Sequence, residues 1–116
     1  MTSHLITHEE RLALLENGRK GRTCADHDPH PVVKLFLPDG ASTWLLCELD
    51  PDEEDIAFGL CDLGLGEPEL GNVSISELLA LRGPLGLKVD RDASFRPKHP
   101  ISIYADIAID AGRIVA

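Results

Sequence analysis

The period of apolar positions changes several times along the chain, and each change marks an element. Thr7-His8-Glu9-Glu10 has the capping-box form, a Thr followed three residues later by Glu, so a helix should open at Thr7. Leu12, Leu14 and Leu15 give that helix an apolar face, and Asn17-Gly18 supplies a stop signal. Its early acids and the later Arg11 suit the helix dipole. The next stretch, GRKGRTCADHDPHP over residues 18–31, has no apolar period and reads as a polar loop, basic first and acidic after.

The pattern then shortens. Val32 to Leu37, Ser42 to Leu49 and Asp55 to Leu63 are strand-like runs separated by Pro38-Asp39-Gly40 and by the acidic turn Asp50 to Glu54. Connections this short predict an antiparallel meander. In the second strand both alternating sets are apolar: Trp44 and Leu46 on one side, Leu45, Cys47 and Leu49 on the other. Such a sheet should be covered on much of both faces. Leu70 to Ile75 forms a fourth strand, and Ser74-Ile75-Ser76-Glu77 is a second capping box. It opens a short helix, SELLALR, that stops at Gly83-Pro84. Gly86 to Asp92 and Ser94 to Arg96 add an edge strand ended by Pro97. The tail fits two templates. Ile101, Ile103, Ala105, Ile107 and Ile109 alternate, whereas Tyr104, Ile107, Ala108 and Ala111 lie at helical spacing before Gly112, with Ser102 as a candidate cap. Helix is preferred. The expected fold is α+β: a single compact domain over residues 1–116, an antiparallel sheet of about four or five strands, and two or three short helices.

Composition narrows the function. Hydrophobic residues make up 43% of the 116, enough for one core. The net charge of −9 disfavours direct contact with DNA or RNA, and equally allows an acidic surface that imitates a nucleic acid. Cys24, Cys47 and Cys61 make no even disulfide framework, and Cys47 and Cys61 sit in apolar runs, as expected of core thiols in a reducing cytoplasm. The opening MTSHLITHEERL carries acids and no apolar run, unlike a secretory signal, and no run approaches a membrane span. The expectation is a cytoplasmic protein without membrane attachment.

Candidate chemistry is sparse. GLGEPELG, Gly64 to Gly71, has the Gly-x-Gly start of a dinucleotide loop, but Glu69 occupies the place of the third glycine and two glutamates would face the phosphates. Its glycines are expected to turn the backbone, with Glu67 and Glu69 facing water or a partner's arginine. CADHDPH sets Cys24, His27 and His30 at ligand-like spacing with Asp26 and Asp28 between them. A structural zinc site wants a second cluster, and only His4, His8 and His99 stand elsewhere, so no metal or other cofactor is expected. No nucleophile elbow or HExxH string occurs, so no catalytic residue is assigned and no enzyme activity is expected. Trp44, Glu67, Glu69, Arg82, Asp90, Arg91 and Asp92 remain as candidate partner-binding residues, the arginines being expected to pair internally with neighbouring acids.

Three stretches, residues 31–71, 74–92 and 95–105, resemble a bacterial family of small uncharacterised proteins, a domain of unknown function met on plasmids and other mobile elements. The resemblance lies in words such as TW, ELDP, FGL, PELG, SELLALRGPLGL and DRD. It implies a cytoplasmic accessory protein of a mobile element and carries over no site residue. The sequence therefore points to a non-enzymatic module that binds a protein partner. The alternatives are an acidic nucleic-acid mimic that inhibits a nucleic-acid-binding protein, and a small-ligand or metal-binding protein.

Overall fold

The structure is a computed structural model that describes residues 5–116; His4 lies outside them. Helix α1 (His8–Thr23) precedes strands β1 (Val33–Phe36), β2 (Thr43–Leu49), β3 (Ile56–Asp62) and β4 (Glu69–Ser74). Helix α2 (Ile75–Ala80), the two-residue strand β5 (Asp90–Arg91) and helix α3 (Ile101–Ala111) follow. The sheet is antiparallel throughout, in the order β4-β3-β2-β1-β5. The first four strands are the expected meander, and the chain after α2 crosses to the far edge to add β5 beside β1. The α+β reading is correct.

Both faces are covered, as the doubly apolar strands require. On one face α1 and α2 bring Leu14, Leu15, Ile75 and Leu78 against Val33, Leu35, Trp44 and Leu46. On the other, α3 brings Ile101, Tyr104, Ala105 and Ala108 against Leu45, Cys47 and Leu60. Leu49 departs from the simple alternation. The pairing register of β2 with β3 shifts between Leu46 and Glu48, a β-bulge, and the extra residue returns Leu49 to the Trp44 face.

Several local expectations need correction. The first helix does not stop at Asn17-Gly18; it runs on to Thr23, so residues 18–23 of the anticipated polar loop are helical. Neither residue acts as a stop. The Asn17 side-chain amide donates to the Cys47 carbonyl at 3.0 Å, and Gly18 lets the helix backbone approach that of Leu49. The remaining strap, residues 24–32, carries the chain from one face of the sheet to the other. There it caps α3: Ile101 N–H donates to the Pro29 carbonyl, and Ser102 donates from N–H and hydroxyl to the Asp28 carboxylate. The cap of α3 thus comes from a distant loop, and Ser102 lies inside the helix behind Pro100. Helix α2 begins at Ile75 behind the Ser74 cap and ends at Ala80, short of Arg82. Of the anticipated edge strand only Asp90–Arg91 joins the sheet; Arg82 and Lys88 instead bridge to each other across a small hairpin.

Candidate partner-binding surface

The register fixes which loops share an end of the molecule. Phe36 pairs with Thr43, Thr43 with Asp62, and Phe36 on its other side with Asp90. The 37–42 turn, the 63–68 loop and the 81–89 segment therefore all leave the sheet at one end. They touch there. A Cβ on Gly64 would press on the Ala41 side chain at 2.6 Å, and a Cβ on Gly83 would overlap the Asp39 carboxylate. The turn is wedged between the other two.

Each flanking loop is held by an aspartate. Asp62, buried at the end of β3, accepts from Gly64 N–H at 2.8 Å with one oxygen and from Ile114 N–H at 3.0 Å with the other. This ties the loop to the segment after α3. Gly64 and Gly66 turn the loop at φ near +80°, a conformation that disfavours side-chain-bearing residues. Asp39 crosses to the hairpin and accepts from Leu85 N–H at 2.7 Å and Leu87 N–H at 3.2 Å. The two N–H groups, on either side of Gly86, converge on one oxygen of the carboxylate and form an anion nest whose anion is the protein's own. The hairpin closes on itself through Gly83 N–H to Leu87 O and Gly86 N–H to Gly83 O.

Held this way, both loops turn leucines outward. Leu65 is 78% exposed and Leu85 82%, with Leu63, Leu81 and Leu87 also exposed. Apolar side chains fixed in water by structured loops, and not scattered singly, mark an interaction surface. The sequence points to this end through the 64–71 loop, but by its glutamates and glycines; the leucines escape it, and Leu85 and Leu87, outside any amphipathic period, were the available signal.

The residues singled out from sequence fall in different places. Trp44 is 2% exposed and belongs to the core beneath α1 and α2. Glu67 and Glu69 are exposed at the start of β4, and no ion pair engages either among the described residues. Arg82 donates to the carbonyls of Leu79 and Leu81. Arg91 pairs with a distant acid: its guanidinium meets both oxygens of Glu10 at 2.5 and 2.6 Å and donates to the Leu5 carbonyl, tying β5 to the start of α1. Burial raises the Glu10 carboxyl, and the bonds from Arg91 and Thr7 outweigh it and hold the group below the ordinary glutamate value. Asp90 accepts from Arg91 N–H, and Asp92 caps Ser94 and lies 3.6 Å from Lys34. Asp92 is held below the usual carboxylate value chiefly by the Ser94 hydroxyl and N–H.

The CADHDPH segment is the strap that caps α3. Its Cys24 is exposed, His27 half-buried and His30 exposed, and no group of three or more ligand-type side chains gathers anywhere among the described residues. No described helix is long and apolar enough to cross a membrane. No curated protein and no solved structure matches the chain. A family match does exist: the family described as protein of unknown function (DUF2958) covers residues 5–115. The three resembling stretches lie within that span, and the chain belongs to this family.

Proposed function

We propose that the chain is a non-catalytic protein-binding module that docks a partner on the leucine-bearing end of its sheet, serving as an accessory protein of a bacterial mobile element. The observation that carries this reading is the pair of loops pinned by Asp39 and Asp62, which hold Leu65 and Leu85 in solvent. A surface set rigidly before binding loses little conformational entropy on docking, and large apolar side chains at its centre supply most of the affinity. Arg82 and Lys88 sit beside the leucines and supply a polar rim.

The nucleic-acid-mimic alternative needs rows of free carboxylates. Much of the acid here is engaged internally: Glu10 with Arg91, Glu54 with Arg11, and Asp50 and Asp52 with Arg22. That weighs toward the apolar end. The test is capture from a bacterial lysate on immobilised protein, at low and high salt, with the wild type beside a Leu65→Ser/Leu85→Ser variant of unchanged circular dichroism. A partner retained at high salt by the wild type and lost by the variant supports the reading. Capture that is equal on both, or that salt alone abolishes, overturns it.

A further inference from the structure

The sheet has two edges, and they are finished differently. The β5 edge is two residues long and tied down by the Arg91–Glu10 pair. Strand β4, at the other edge, runs six residues with its outer side open. Ile75 N–H bonds inward to Asp55 O, so by strand alternation Val73, Gly71 and Glu69 also direct their backbone groups toward β3. The N–H and C=O groups of Leu70 and Asn72 therefore face outward. Together they offer four ladder positions to another strand.

Alongside this edge, on the α2 face, runs an open groove of about 420 Å³. Leu63, Val73, Leu78 and Leu81 form its apolar walls, and Glu77 stands on its rim. No lysine or arginine lines it. Glu69 pairs with Cys61 and so shares a face with Val73, placing a second carboxylate over the same side, with Glu67 just before it. None of these three glutamates has an ion-pair partner among the described residues. Above Gly71 the space is empty out to 4 Å, leaving room for a neighbour's side chain.

We infer that β4 is a strand-addition site for an extended, basic segment of a partner protein. The added strand pairs with Leu70 and Asn72, sets alternate apolar side chains over Gly71 and Val73 into the groove, and places lysine or arginine against Glu69 and Glu77. A second copy of this chain fits less well, because it brings the same three glutamates and another net charge of −9 to the edge. The inference rests on the protein-binding reading above but on a different element, so the two can fail separately.

The probe is a labelled, end-blocked peptide of about eight residues, a typical strand length, of pattern Lys-Thr-Val-Thr-Val-Thr-Lys-Thr, whose first, third, fifth and seventh side chains share one face and so set Val over Gly71 and Val73 with Lys beside Glu69 and Glu77. Its binding to the full chain is followed by fluorescence anisotropy, with the same peptide carrying Glu in place of Lys, the glutamate peptide, as control. Binding by the lysine peptide alone is expected, weakened about tenfold in a Glu69→Lys/Glu77→Lys variant. Asn72→Pro removes an outward N–H at an edge position where proline is tolerated, and should abolish binding. In amide NMR spectra the shifts should centre on Leu70 and Asn72. Three results overturn the inference: no binding by the lysine peptide, equal binding by the glutamate peptide, or binding unaltered by both variants. A dimer in sedimentation equilibrium that Asn72→Pro dissociates also overturns it, by showing the edge filled by a second copy. Capture that still depends on Leu65 and Leu85 would leave the protein-binding reading standing.

Discussion

Replacing Gly18 by alanine separates two accounts of one residue. As an ordinary helix-interior glycine in α1, it should give a stabilising alanine, by about 1 kcal/mol of helix propensity. The structure reverses the sign. A Cβ at Gly18 would stand 2.0 Å from the Leu49 carbonyl oxygen, 3.1 Å from the carbonyl carbon and 3.3 Å from Pro51 Cδ. The first two are backbone atoms of a central strand and cannot swing away. Ordinary contact begins near 3.4 Å, so α1 and β2 must part by about 1.4 Å at that point. Overpacking of this kind costs about 1–3 kcal/mol, and losing the neighbouring Asn17–Cys47 hydrogen bond about 1 kcal/mol more. Less the propensity gain, Gly18→Ala should lose about 1–3 kcal/mol, a fall in Tm of about 4–12 °C for a domain of this size. Gly21 is the control within the same helix. Its Cβ would meet Glu48 Oε1 at 2.8 Å, the tip of a flexible side chain, so Gly21→Ala should match or slightly exceed the wild type. Urea unfolding followed by the fluorescence of Trp44, the chain's one tryptophan, measures both. A Gly18→Ala protein as stable as the wild type, or equal responses at the two glycines, would refute the close-approach account.

Three further outcomes follow from the structure. The Glu10 carboxyl is depressed below its ordinary 4.5, so the stability it contributes is complete above that value and is lost as pH falls through the lower folded value; Glu10→Gln should be less stable at neutral pH and flatten the decline of stability in that acid window, measured by urea titrations across it. Asp39→Ala empties the nest, and the amide exchange of Leu85 and Leu87 should quicken at least about tenfold while β2 amides keep their protection. Burial pushes the Cys47 thiol up to about 12 and the Cys61 thiol up to about 11, whereas Cys24 is exposed. An aromatic disulfide reagent at pH about 8 should therefore label Cys24 quickly and the other two only on unfolding, as read by peptide mass spectrometry.

Much of the fold is legible in local sequence because local chemistry decided it. The Thr7 capping box forms as written, with Thr7 Oγ1 accepting from Glu10 N–H and Glu10 Oε1 accepting from Thr7 N–H. The meander follows from its short turns, and α3 from the Tyr104, Ala108 stripe and a left-handed Gly112. What escaped depends on partners distant in sequence. Asn17-Gly18 carries the signature of a helix end, yet the carbonyls of Cys47 and Leu49 convert both residues to packing roles. The cap of α3 is Asp28, which no window around Ser102 contains. The bulge that returns Leu49 to the Trp44 face leaves no mark in an apolar run that is uniform on both faces. Among the charged candidates, Glu67 and Glu69 lie near the β4 edge without ion pairs among the described residues, whereas Asp92 and Arg91 are internal ties, Arg91 pairing as expected with an acid, though with distant Glu10 and not a neighbour. Trp44, a candidate anchor by residue type, lies under α1 and α2 and belongs to the core.

Among the 20 acids behind the net charge of −9, two groups have distinct roles. One is spent inward. Glu10 fastens β5 to α1, Asp50 and Asp52 hold Arg22, Asp55 gathers Ser74 and Ser76 at the start of α2, and Asp39 and Asp62 pin the two leucine loops. These carboxylates shape the molecule, and their charge is largely answered by a paired arginine or by hydrogen-bond donors. A second group, Glu67, Glu69 and Glu77, gathers along β4, the longer of the two open sheet edges. An exposed edge invites unwanted pairing, and charge is a common protection against it. Protection of that kind usually places lysine or a central charge on the edge strand. Here the middle of β4 is Leu70-Gly71-Asn72-Val73, uncharged and open, with the carboxylates only at its margins. Marginal acids repel a second acidic copy and attract a basic strand, which is the selectivity that the strand-addition inference requires.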